Sequence, residues 1–508
     1  MTELLYSIKL PKSKNTEKLY IKAEGLKYCT NCVAVNKKGC MDLGTYFNLF
    51  SLKKWLKFTS ILTLKVDLTI EGEYTVSIYS IKKDNCITVL FNTHGVNNFF
   101  HEFNVKILQT WAKEKNEILG IKIESSSPVL KFYGGAYFAD FAAGKDVNIG
   151  ITICTFKREA YLKKNIETLK QYCANNAYCN VMVIDNGRTL NLQEENFLKI
   201  IPNLNYGGAG GFTRGLIEQV RMKRNSHILL MDDDIELEIS SLQRLFAFVS
   251  HLKEDYNNRM IAGSMLRMDQ PTIQFENSAY WGKIRMRALG RGLDLSQAKC
   301  LYENENLPPH KNKYAAWWFC CIPLEVIEKH GYPLPIFIKG DDMEYGIRNA
   351  MDIITLNGIG VWHEPFTRKV NPVVNYFNDR NMLIVNQYAE GGNRWSFAGI
   401  LLARLIRRIL ERKLIGIQLY EKAIKDYADG LFKITETGSD EILIQIQNYK
   451  TEKGLFRIFF NILAVGIKEF LYYNKTHKDY IKFREKNLSD ATFWTEFLKL
   501  KNPSIVEK

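Results

Sequence analysis

The sequence predicts a multidomain α/β fold: an N-terminal antiparallel β-sandwich, a central doubly wound α/β core and a C-terminal helical domain. Three observations lead to this prediction. Residues 1–145 contain short stretches in which apolar and polar residues alternate, residues 146–385 alternate strand and helix patterns, and residues 386–508 combine helical apolar spacing with many basic residues. A chain of 508 residues is also too long for one hydrophobic core.

The composition excludes some classes of protein and favours others. With 46% hydrophobic and 24% charged residues, the chain is typical of a folded protein. Its net charge of +14 predicts attraction to nucleic acid, anionic lipid or a phosphorylated substrate. The first residues do not form a signal peptide, and no stretch reaches the roughly 18 apolar residues of a spanning helix. We therefore expect a cytoplasmic protein.

The cysteines indicate a reducing compartment. Ten cysteines scattered over 508 residues do not form a disulfide framework. Cys29, Cys32 and Cys40 could belong to a zinc site, but a structural zinc site needs four ligands and the nearby sequence supplies no fourth. We therefore predict free thiols in this cluster, with zinc as the alternative.

The N-terminal 145 residues are predicted to form a β-sandwich. Leu64, Val66, Leu68 and Ile70 alternate with polar residues, and Glu71-Gly-Glu73 then leads into a second alternating stretch beginning at Tyr74. This pattern predicts a hairpin with one buried face. Because the segment contains no catalytic constellation, we expect it to serve recognition or assembly.

The central region predicts a parallel sheet with a polar edge. Strands are expected at Val147–Cys154, Val181–Ile184 and Ile228–Met231, with helices at Glu159–Tyr172 and Phe212–Arg224 between them. In such sheets ligands bind beyond the carboxyl ends of the strands. The polar segments Thr155–Arg158, Asp185–Gly187 and Asp232–Asp234 follow these strands, which predicts a binding site at that edge.

The acidic triplet Asp232-Asp-Asp234 is the strongest single signal. Three adjacent carboxylates repel one another, and a hard divalent cation such as Mg²⁺ or Mn²⁺ removes that cost. Since side chains alternate along an extended chain, Asp232 and Asp234 are expected to share one face, with Asp233 on the other. A solvated turn is the alternative interpretation of such a run.

Further polar motifs follow the triplet. They are Trp317-Trp318, Asp341-Asp342-Met-Glu344 and Trp362-His363. A second acidic pair can supply a general base, and a histidine can complete a metal site. Each motif alone is weak, because adjacent tryptophans and a lone histidine are usually packed residues. Their order along the chain is the specific feature.

That order resembles glycosyltransferase family 2, whose inverting members have the GT-A fold, and within it the bacterial galactofuranosyltransferases that build cell-wall galactan and related polymers. The resemblance also includes the segment Asn205-Tyr-Gly-Gly-Ala-Gly-Gly-Phe-Thr-Arg214 and the layout of the chain. It implies a UDP-sugar donor, an Mn²⁺ or Mg²⁺ cofactor and a lipid-linked glycan acceptor at an anionic membrane surface.

The resemblance also implies residue roles. Asp342 would be the general base. Metal ligands would be Asp232, Asp234 and His363, and acceptor contacts would come from Trp317, Trp318, Asp341 and Glu344. The donor would be held by a larger set: Thr155, Arg158, Asp185, Asn205, Gly208, Arg214, Asp232 and Asp233. Gly340, just before the acidic pair, departs from the pattern, because some related enzymes are expected to have a tryptophan at that position.

The C-terminal region predicts an amphipathic, basic surface. Leu401, Leu405 and Ile409 recur at helical spacing and are flanked by Arg404, Arg407, Arg408 and Arg412. Such a surface suits anionic lipid, which predicts peripheral association with the inner face of the cytoplasmic membrane. A helical bundle with a solvated basic face is the alternative.

Three other functions compete with galactofuranosyl transfer. The same fold could use another nucleotide sugar for rhamnosyl, glucosyl or N-acetylglucosaminyl transfer. A non-catalytic membrane-associated scaffold is a second alternative, although the intact acidic clusters argue against it. Nucleic-acid binding is not expected, because the basic residues are not interleaved with aromatics on one predicted surface. A homo-oligomer is left open.

Overall fold

The computed structural model describes residues 2–83, 86–174, 179–349, 353–365, 371–436, 439–449 and 454–500 of the chain. It contains sheets and helices in the mixed α/β class that the sequence predicts. In chain order, an antiparallel segment comes first, a mixed sheet with flanking helices follows, and helices end the chain.

Two antiparallel sheets make up the N-terminal part. One has the order β3-β4-β11-β6-β9 with β1 added to β11, and the other has the order β2-β5-β10-β7-β8. The elements are β1 Thr2–Ile8, β2 Lys22–Ala23, β3 Lys27–Tyr28, β4 Val33–Asn36, β5 Cys40–Asp42, α1 Leu52–Phe58, β6 Ile61–Glu71, β7 Glu73–Ile81, β8 Ile87–Val96, β9 Phe99–Asn104, α2 Val105–Lys113, β10 Ile118–Ser125 and β11 Val129–Phe141.

The predicted hairpin between β6 and β7 is wrong. β6 pairs with β9 and β11, whereas β7 pairs with β8 and β10, so the two strands lie in different sheets. The chain changes sheets at Gly72, whose φ of 116° favours glycine. Val66 of β6 and Val76 of β7 are buried in one core. The alternating pattern therefore predicts correctly that each strand has a buried face, but it does not identify the partner strand.

A mixed sheet forms the central part. Its order is β14-β13-β12-β15-β22-β17-β23-β16, with β18 on β17, and β20-β19-β21 form a small separate sheet. The elements are β12 Ile149–Thr155, α3 Glu159–Cys173, β13 Asn180–Asp185, β14 Leu198–Pro202, α4 Gly207–Arg221, β15 His227–Asp232, β16 Ile235–Leu237, α5 Ile239–Ser250, β17 Met260–Arg267, β18 Gln274–Glu276, β19 Ser278–Trp281, β20 Met286–Leu289, α6 Ala298–Glu305, β21 Lys313–Tyr314, β22 Phe319–Pro323, α7 Leu324–His330, α8 Asp341–Arg348 and β23 Ile353–His363.

The sheet is parallel over only part of its width. β14, β13, β12 and β15 are parallel, as the sequence predicts. β22 runs antiparallel to both β15 and β17, while β17 and β23 are parallel to each other. The expectation of a parallel sheet throughout is therefore wrong, because hydrophobic patterns report the burial of a strand and not its direction.

The glycine-rich segment is helical and not a loop. α4 begins at Gly207, five residues before the predicted start at Phe212. A Cβ on Gly211 would lie 2.1 Å from the sulfur of Cys154, and one on Gly215 would lie 2.1 Å from Cγ2 of Thr152. These glycines therefore allow α4 to pack closely on β12, which periodicity alone did not indicate.

A buried arginine joins the N-terminal sheets to the central sheet. Arg244 of α5 is buried, and its guanidinium donates to the carbonyl oxygens of Phe47, at 2.8 Å, and of Gly358. The same guanidinium lies 3.5 Å from the centre of the Tyr6 ring. The carbonyl of Phe47 belongs to the N-terminal part of the chain and that of Gly358 to the central part. The guanidinium of Arg244 therefore satisfies one backbone acceptor from each part where the two parts meet.

The C-terminal part is helical. Its elements are α9 Pro372–Tyr388, α10 Arg394–Leu410, α11 Leu414–Thr435, α12 Ser439–Gln447, α13 Leu455–Asn487 and α14 Thr492–Phe497. Across the described residues, none of the helices combines the length and the apolar character needed to cross a membrane.

The predicted amphipathic surface of α10 is internal in part, whereas its residues Ile409, Arg407 and Arg412 are exposed. Leu401 and Leu405 are buried in the core that α10 shares with α11 and α13. Arg408 is fully buried and donates to Asp379 at 2.8 Å, and Arg404 pairs with the same carboxylate. Helical spacing identifies an apolar face without showing whether protein or solvent covers it. For Leu401 and Leu405, the covering surface is protein and not lipid.

The thiols follow the prediction with one addition. Cys29, Cys32 and Cys40 are free, and no metal-ligand cluster includes them among the described residues. Cys173 and Cys179, however, are joined by a disulfide at the end of α3, which the sequence analysis did not predict. A spacing of six residues between two cysteines is too common to identify a pair.

Candidate active site

The candidate site lies at the carboxyl ends of three neighbouring strands. In the sheet register, Thr155 of β12 lies beside Asp185 of β13, and Cys154 of β12 lies beside Asp232 of β15. Because the three strands are parallel, the residues that follow them emerge at the same edge. The predicted gathering of polar segments at one edge of the sheet is therefore present in the structure.

Three side chains form a cluster that could hold a metal ion. Asp232, Asp234 and His363 each offer one ligand atom, and these atoms lie within 4.8 Å of one another. Nε2 of His363 is 2.8 Å from Asp234 and 3.8 Å from Asp232. β16 pairs with the end of β23, which brings His363 beside the residues that follow the triplet. Two carboxylates and one imidazole suit Mn²⁺ or Mg²⁺ in their donor chemistry.

The second nitrogen of His363 supports this interpretation. Nδ1 lies 2.6 Å from the carbonyl oxygen of Glu364, so it carries the proton and leaves Nε2 as the acceptor when the ring is neutral. Metal-bound histidines commonly donate their outer N–H to a carbonyl in this way. The cluster therefore has the orientation of a metal site as well as its donor atoms.

Burial and like charge both act on the carboxylates. Burial raises the pKa of Asp232, the charge of Asp234 adds to that rise, and the nearby His363 opposes it. For His363, burial disfavours the charged imidazolium, but the hydrogen bond to Asp234 and the two carboxylate charges outweigh it and raise its pKa. A cation placed between these groups would stabilise their charged forms, and so would oppose both the burial and the repulsion that raise the pKa of Asp232.

Asp233 is not one of the three residues of the cluster, although it lies in the turn after β15 and shares Arg158 with Asp234. Its carboxylate accepts a 2.6 Å hydrogen bond from Thr155 and lies 3.4 Å from Nη1 of Arg158. Burial raises its pKa to about 6, although the hydrogen bond from Thr155 and the charge of Arg158 oppose the rise. Arg158 also pairs with Asp234. The arginine therefore connects the predicted donor-binding residues to the metal cluster.

The second acidic pair begins α8. Gly340 precedes the helix with a left-handed φ of 93°, and Asp341 and Asp342 occupy the first turn, where the helix dipole favours negative charge. Asp342 accepts a 2.7 Å hydrogen bond from the amide of Met343. Burial nevertheless raises the pKa of both carboxyls, and the charge of Asp342 adds to the rise at Asp341. A raised pKa suits a group that must accept a proton.

Two charged residues near these clusters were missed by the sequence analysis. Lys339 is exposed, and its positive charge lowers the pKa of Asp232, Asp341 and Asp342, so it lies near both acidic groups. Glu276 is buried on β18, and burial together with the charge of Asp342 raises its pKa to about 8. Lys339 stands two residues before Asp341 and could have been found from that position, whereas Glu276 belongs to no motif.

Four predicted donor-binding residues have protein partners. Asp185 accepts 2.9 Å hydrogen bonds from the amides of Gly187 and Leu190, which shape the turn after β13. Asn205 accepts from the amide of Gly207 at 3.2 Å. The ideal Cβ position on Gly208 lies 3.1 Å from Asp341. Arg214 pairs with Glu218 at 2.9 Å. Their roles in donor binding stay predictions.

The predicted acceptor residues other than Asp341 are deeply packed. Trp318 is buried, and its indole donates to the carbonyl of Gly263 at 2.9 Å. Trp317 is buried and contacts the rings of Phe212 and Tyr345. Glu344 is fully buried in an ion pair with Arg348. These contacts hold the walls of the site, and a direct contact of these three residues with an acceptor stays a prediction.

Comparison with curated proteins finds two similar galactofuranosyltransferases. The chain is 26% identical over 451 residues to galactofuranosyltransferase GlfT2 of Mycobacterium tuberculosis, covering 79% of this chain and 68% of that protein. It is 24% identical over 435 residues to GlfT2 of Mycolicibacterium smegmatis, covering 79% and 66%. The similarity thus spans about two thirds of each relative. It confirms the predicted resemblance to galactofuranosyltransferases and the prediction that the chain is a glycosyltransferase.

Other comparisons add less. No protein-family model matches the chain. Among solved structures, residues 1–349 of S. aureus TarS superpose with a TM-score of 0.36 at 13% identity, covering 67% of this chain and 91% of that one.

The metal cluster leads to a prediction that distinguishes two of its proposed ligands, Asp234 and His363, from Asp233. Asp234→Ala and His363→Ala should weaken Mn²⁺ binding by more than about 10-fold, since even changes behind metal ligands cost about 10–100-fold. Asp233→Asn should leave that affinity within about threefold, because Asp233 faces Thr155 and Arg158. Isothermal titration with Mn²⁺ in the presence of UDP measures all three. Equal losses in the three variants would show that the ligands have been assigned wrongly.

Proposed function

We propose that this chain transfers galactofuranose from UDP-galactofuranose to a growing lipid-linked glycan of the cell surface, with inversion at the anomeric carbon. The observation that supports the proposal is the presence of two neighbouring acidic clusters in a chain that is similar to galactofuranosyltransferases. A cluster with metal-ligand chemistry, Asp232, Asp234 and His363, lies at the sheet edge. The pair Asp341 and Asp342 has raised pKa values, and Lys339 acts on both sites.

The reaction needs a base, and Asp342 is our candidate. In the proposed step, Asp342 takes the proton from an acceptor hydroxyl while that oxygen forms a bond to the anomeric carbon. The bond from that carbon to the UDP oxygen breaks, and its electron pair leaves with UDP. Because attack and departure occur on opposite faces, the configuration inverts. A half-buried carboxylate with a raised pKa is suited to accept this proton.

The departing UDP must be stabilised as negative charge develops on its phosphates. Arg158 and Lys339 are the cations beside the acidic clusters and are proposed to face the diphosphate. A divalent ion held by Asp232, Asp234 and His363 would supply further positive charge to the same oxygens when bound. Asp185 and Asn205 are proposed to help shape the nucleotide pocket through the turns they stabilise.

The three parts of the chain are proposed to act as separate domains. Residues 146–385 would form the GT-A catalytic domain, since they contain the mixed sheet and both acidic sites. Residues 1–145 would form an accessory recognition domain built from the two antiparallel sheets. Residues 386–508 would form a helical domain that contacts the membrane.

Release of UDP from a panel of donors tests the proposal. UDP-galactofuranose, UDP-galactopyranose, UDP-glucose, UDP-N-acetylglucosamine and a rhamnosyl nucleotide would be compared with and without Mn²⁺, using a short galactofuranosyl acceptor. We expect release only with UDP-galactofuranose and metal. Preference for another sugar would replace the proposed donor, and acceptor-independent release alone would argue against transfer.

The assignment of Asp342 gives a second prediction. Asp342→Asn preserves the size of the side chain but removes the base, so transfer should fall by about 10²- to 10⁴-fold while UDP affinity changes little. Steady-state transfer rates and UDP titration measure the two quantities. Asp255→Asn, at an exposed position, serves as the matched control. Loss of UDP affinity in step with rate would place Asp342 in the donor site.

We also propose that the C-terminal helices dock on anionic lipid, through a different face from the one predicted. Exposed apolar side chains form a stripe on α10, with Leu402, Ile406 and Leu410, and a second on α13, with Phe460 and Ile467. The exposed fraction of Phe456, at the start of the second stripe, is 94%. Monomeric proteins rarely expose apolar surfaces of this extent.

The two stripes are adjacent. α10 and α13 meet where Leu401 lies against Gly466 and where Trp395 contacts Phe470. Leu402 and Ile467 follow the two residues of the first contact and are both exposed. The other side of the contact between α10 and α13 faces the core. We therefore infer that the two exposed stripes lie together on the solvent side of these helices and form one surface.

The charges around this surface favour anionic lipid as the partner. Helix α10 contains no acidic residue, and residues 455–478 of α13 contain one, Glu469, which is buried. Arg407, Arg457 and Lys468 are exposed beside the stripes. Each basic residue near an anionic membrane contributes about 1 kcal/mol of attraction, so this surface combines apolar insertion with charge.

Vesicle binding tests this surface. The variant Phe460→Ser/Ile467→Ser should lose most co-sedimentation with phosphatidylglycerol vesicles, because it removes apolar side chains that would enter the bilayer. Val96→Ser/Phe100→Ser, at two exposed positions of the N-terminal sheets, is the matched control and should bind normally. Binding should weaken as salt rises. Loss of a dimer in the first variant, seen by sedimentation velocity, would instead assign the surface to a second copy.

A further inference from the structure

The segment before Asp341 and Asp342 has an unusual backbone. Phe337 and Lys339 have φ values of 73° and 66°, and Gly340 has 93°. Left-handed conformations are rare for bulky residues, and they persist when the surroundings hold them in place. Three such residues within four positions lead directly into the first turn of α8, which contains the proposed base. The groups that hold this segment therefore also determine where the base lies.

One buried amide on α9 contacts the segment repeatedly. Nδ2 of Asn381 lies 3.0 Å from the carbonyl oxygen of Ile336, 2.9 Å from that of Ile338 and 2.7 Å from that of Lys339. Asn381 is fully buried. The two N–H donors of this one side chain are thus shared among three backbone acceptors of the irregular segment.

The neighbouring arginine orients that amide. Nε of Arg380 donates to the side-chain oxygen of Asn381 at 2.9 Å, and Nη2 donates to the carbonyl of Ile336 at 2.8 Å. Because the arginine can only donate, the amide oxygen must face it and the amide nitrogen must face the segment. Arg380 is also fully buried, so both groups are held by protein contacts.

Helix α4 holds the segment from the other side. The amide of Ala209 donates to the carbonyl of Phe337 at 3.0 Å. A Cβ on Gly207 would lie 2.2 Å from the same oxygen, so only glycine permits this approach. The segment is therefore held between the first turn of α4 and the middle of α9, and Asn381 makes three of the contacts on the α9 side.

We propose that Asn381, oriented by Arg380, is a positioning residue that holds segment 336–340 so that Asp342 meets the acceptor hydroxyl. This inference rests on the proposed function, in which Asp342 is the base. It assigns to α9 a role in the rate of the proton-transfer step, although neither residue touches substrate. A displacement of the base by about 1 Å can cost about 10²-fold in rate, so the contact need not unfold the protein to matter.

The experiment compares two changes at Asn381 with one matched control. Asn381→Ala removes the donor, and Asn381→Asp preserves the shape and the contact with Arg380 but turns an oxygen toward the three carbonyls. Both variants should lower kcat for transfer by about tenfold or more. The donor KM and the affinity for UDP should stay within about twofold. Asn381→Asp should be at least as impaired as Asn381→Ala, whereas a pure packing role would make the isosteric variant the milder one.

Asn386→Ala is the control, because Asn386 is equally buried on α9 but bonds to the hydroxyls of Tyr473 and Ser396, away from the segment. It should lower the thermal midpoint without lowering kcat. Hydrogen exchange without substrate gives an independent measurement. The amides of residues 336–344 should exchange faster in the two Asn381 variants than in the wild type, and at wild-type rates in Asn386→Ala.

The possible results are distinguishable. An unchanged kcat in Asn381→Asp, or an equal fall in Asn386→Ala, would overturn the positioning role. If the wild type transfers no sugar from any donor, the proposed function fails, and hydrogen exchange alone then decides whether Asn381 holds the segment. Unchanged exchange in the Asn381 variants would overturn the proposal in that case too.

Discussion

Repulsion between buried carboxylates is the constraint on which the architecture of this protein depends. Asp232, Asp233 and Asp234 follow one strand, and a second acidic pair lies close enough for Lys339 to act on both groups. Burial alone would drive these carboxyls to their neutral forms. The fold counters this by placing Arg158, His363 and Lys339 among them, and by using the first turn of α8 for the second pair. A bound cation would further reduce the repulsion among these carboxylates.

Close backbone packing positions the elements that contain these charged residues. Glycines let α4 lie against β12, and Gly207 lets the carbonyl of Phe337 approach the first turn of the same helix. Asn381 reaches that segment from α9. The acid pair is thus positioned by two helices that are distant in sequence from each other. This explains physically why α9, at the border of the basic C-terminal region, contains fully buried polar residues that bond to segment 336–340.

The two surfaces of α10 illustrate what a hydrophobic pattern can and cannot report. Leu401 and Leu405 recur at helical spacing, yet so do Leu402 and Ile406, and the structure buries the first pair while exposing the second. Likewise, the buried cation Arg408 and the exposed cation Arg407 are neighbours in sequence. Only contact with α11, α13 and Asp379 distinguishes them. Periodicity identifies faces of a helix, and packing decides which of them meets solvent.

By itself, the sequence determined the local elements and the chemistry available at their ends. The strand positions around the triplet, the absence of Asp233 from the proposed ligand set and the candidate metal ligand His363 all followed from residue order and from a resemblance that the curated relatives confirm. These features depend on neighbouring residues or on short motifs, so a linear pattern contains them. Strand partners, strand direction and contacts between distant residues cannot be inferred from such a linear pattern. The separation of β6 from β7, the reversal of β22, the position of Glu276 and the contacts of Asn381 were decided by tertiary structure, because each depends on surfaces that meet only when the chain is folded.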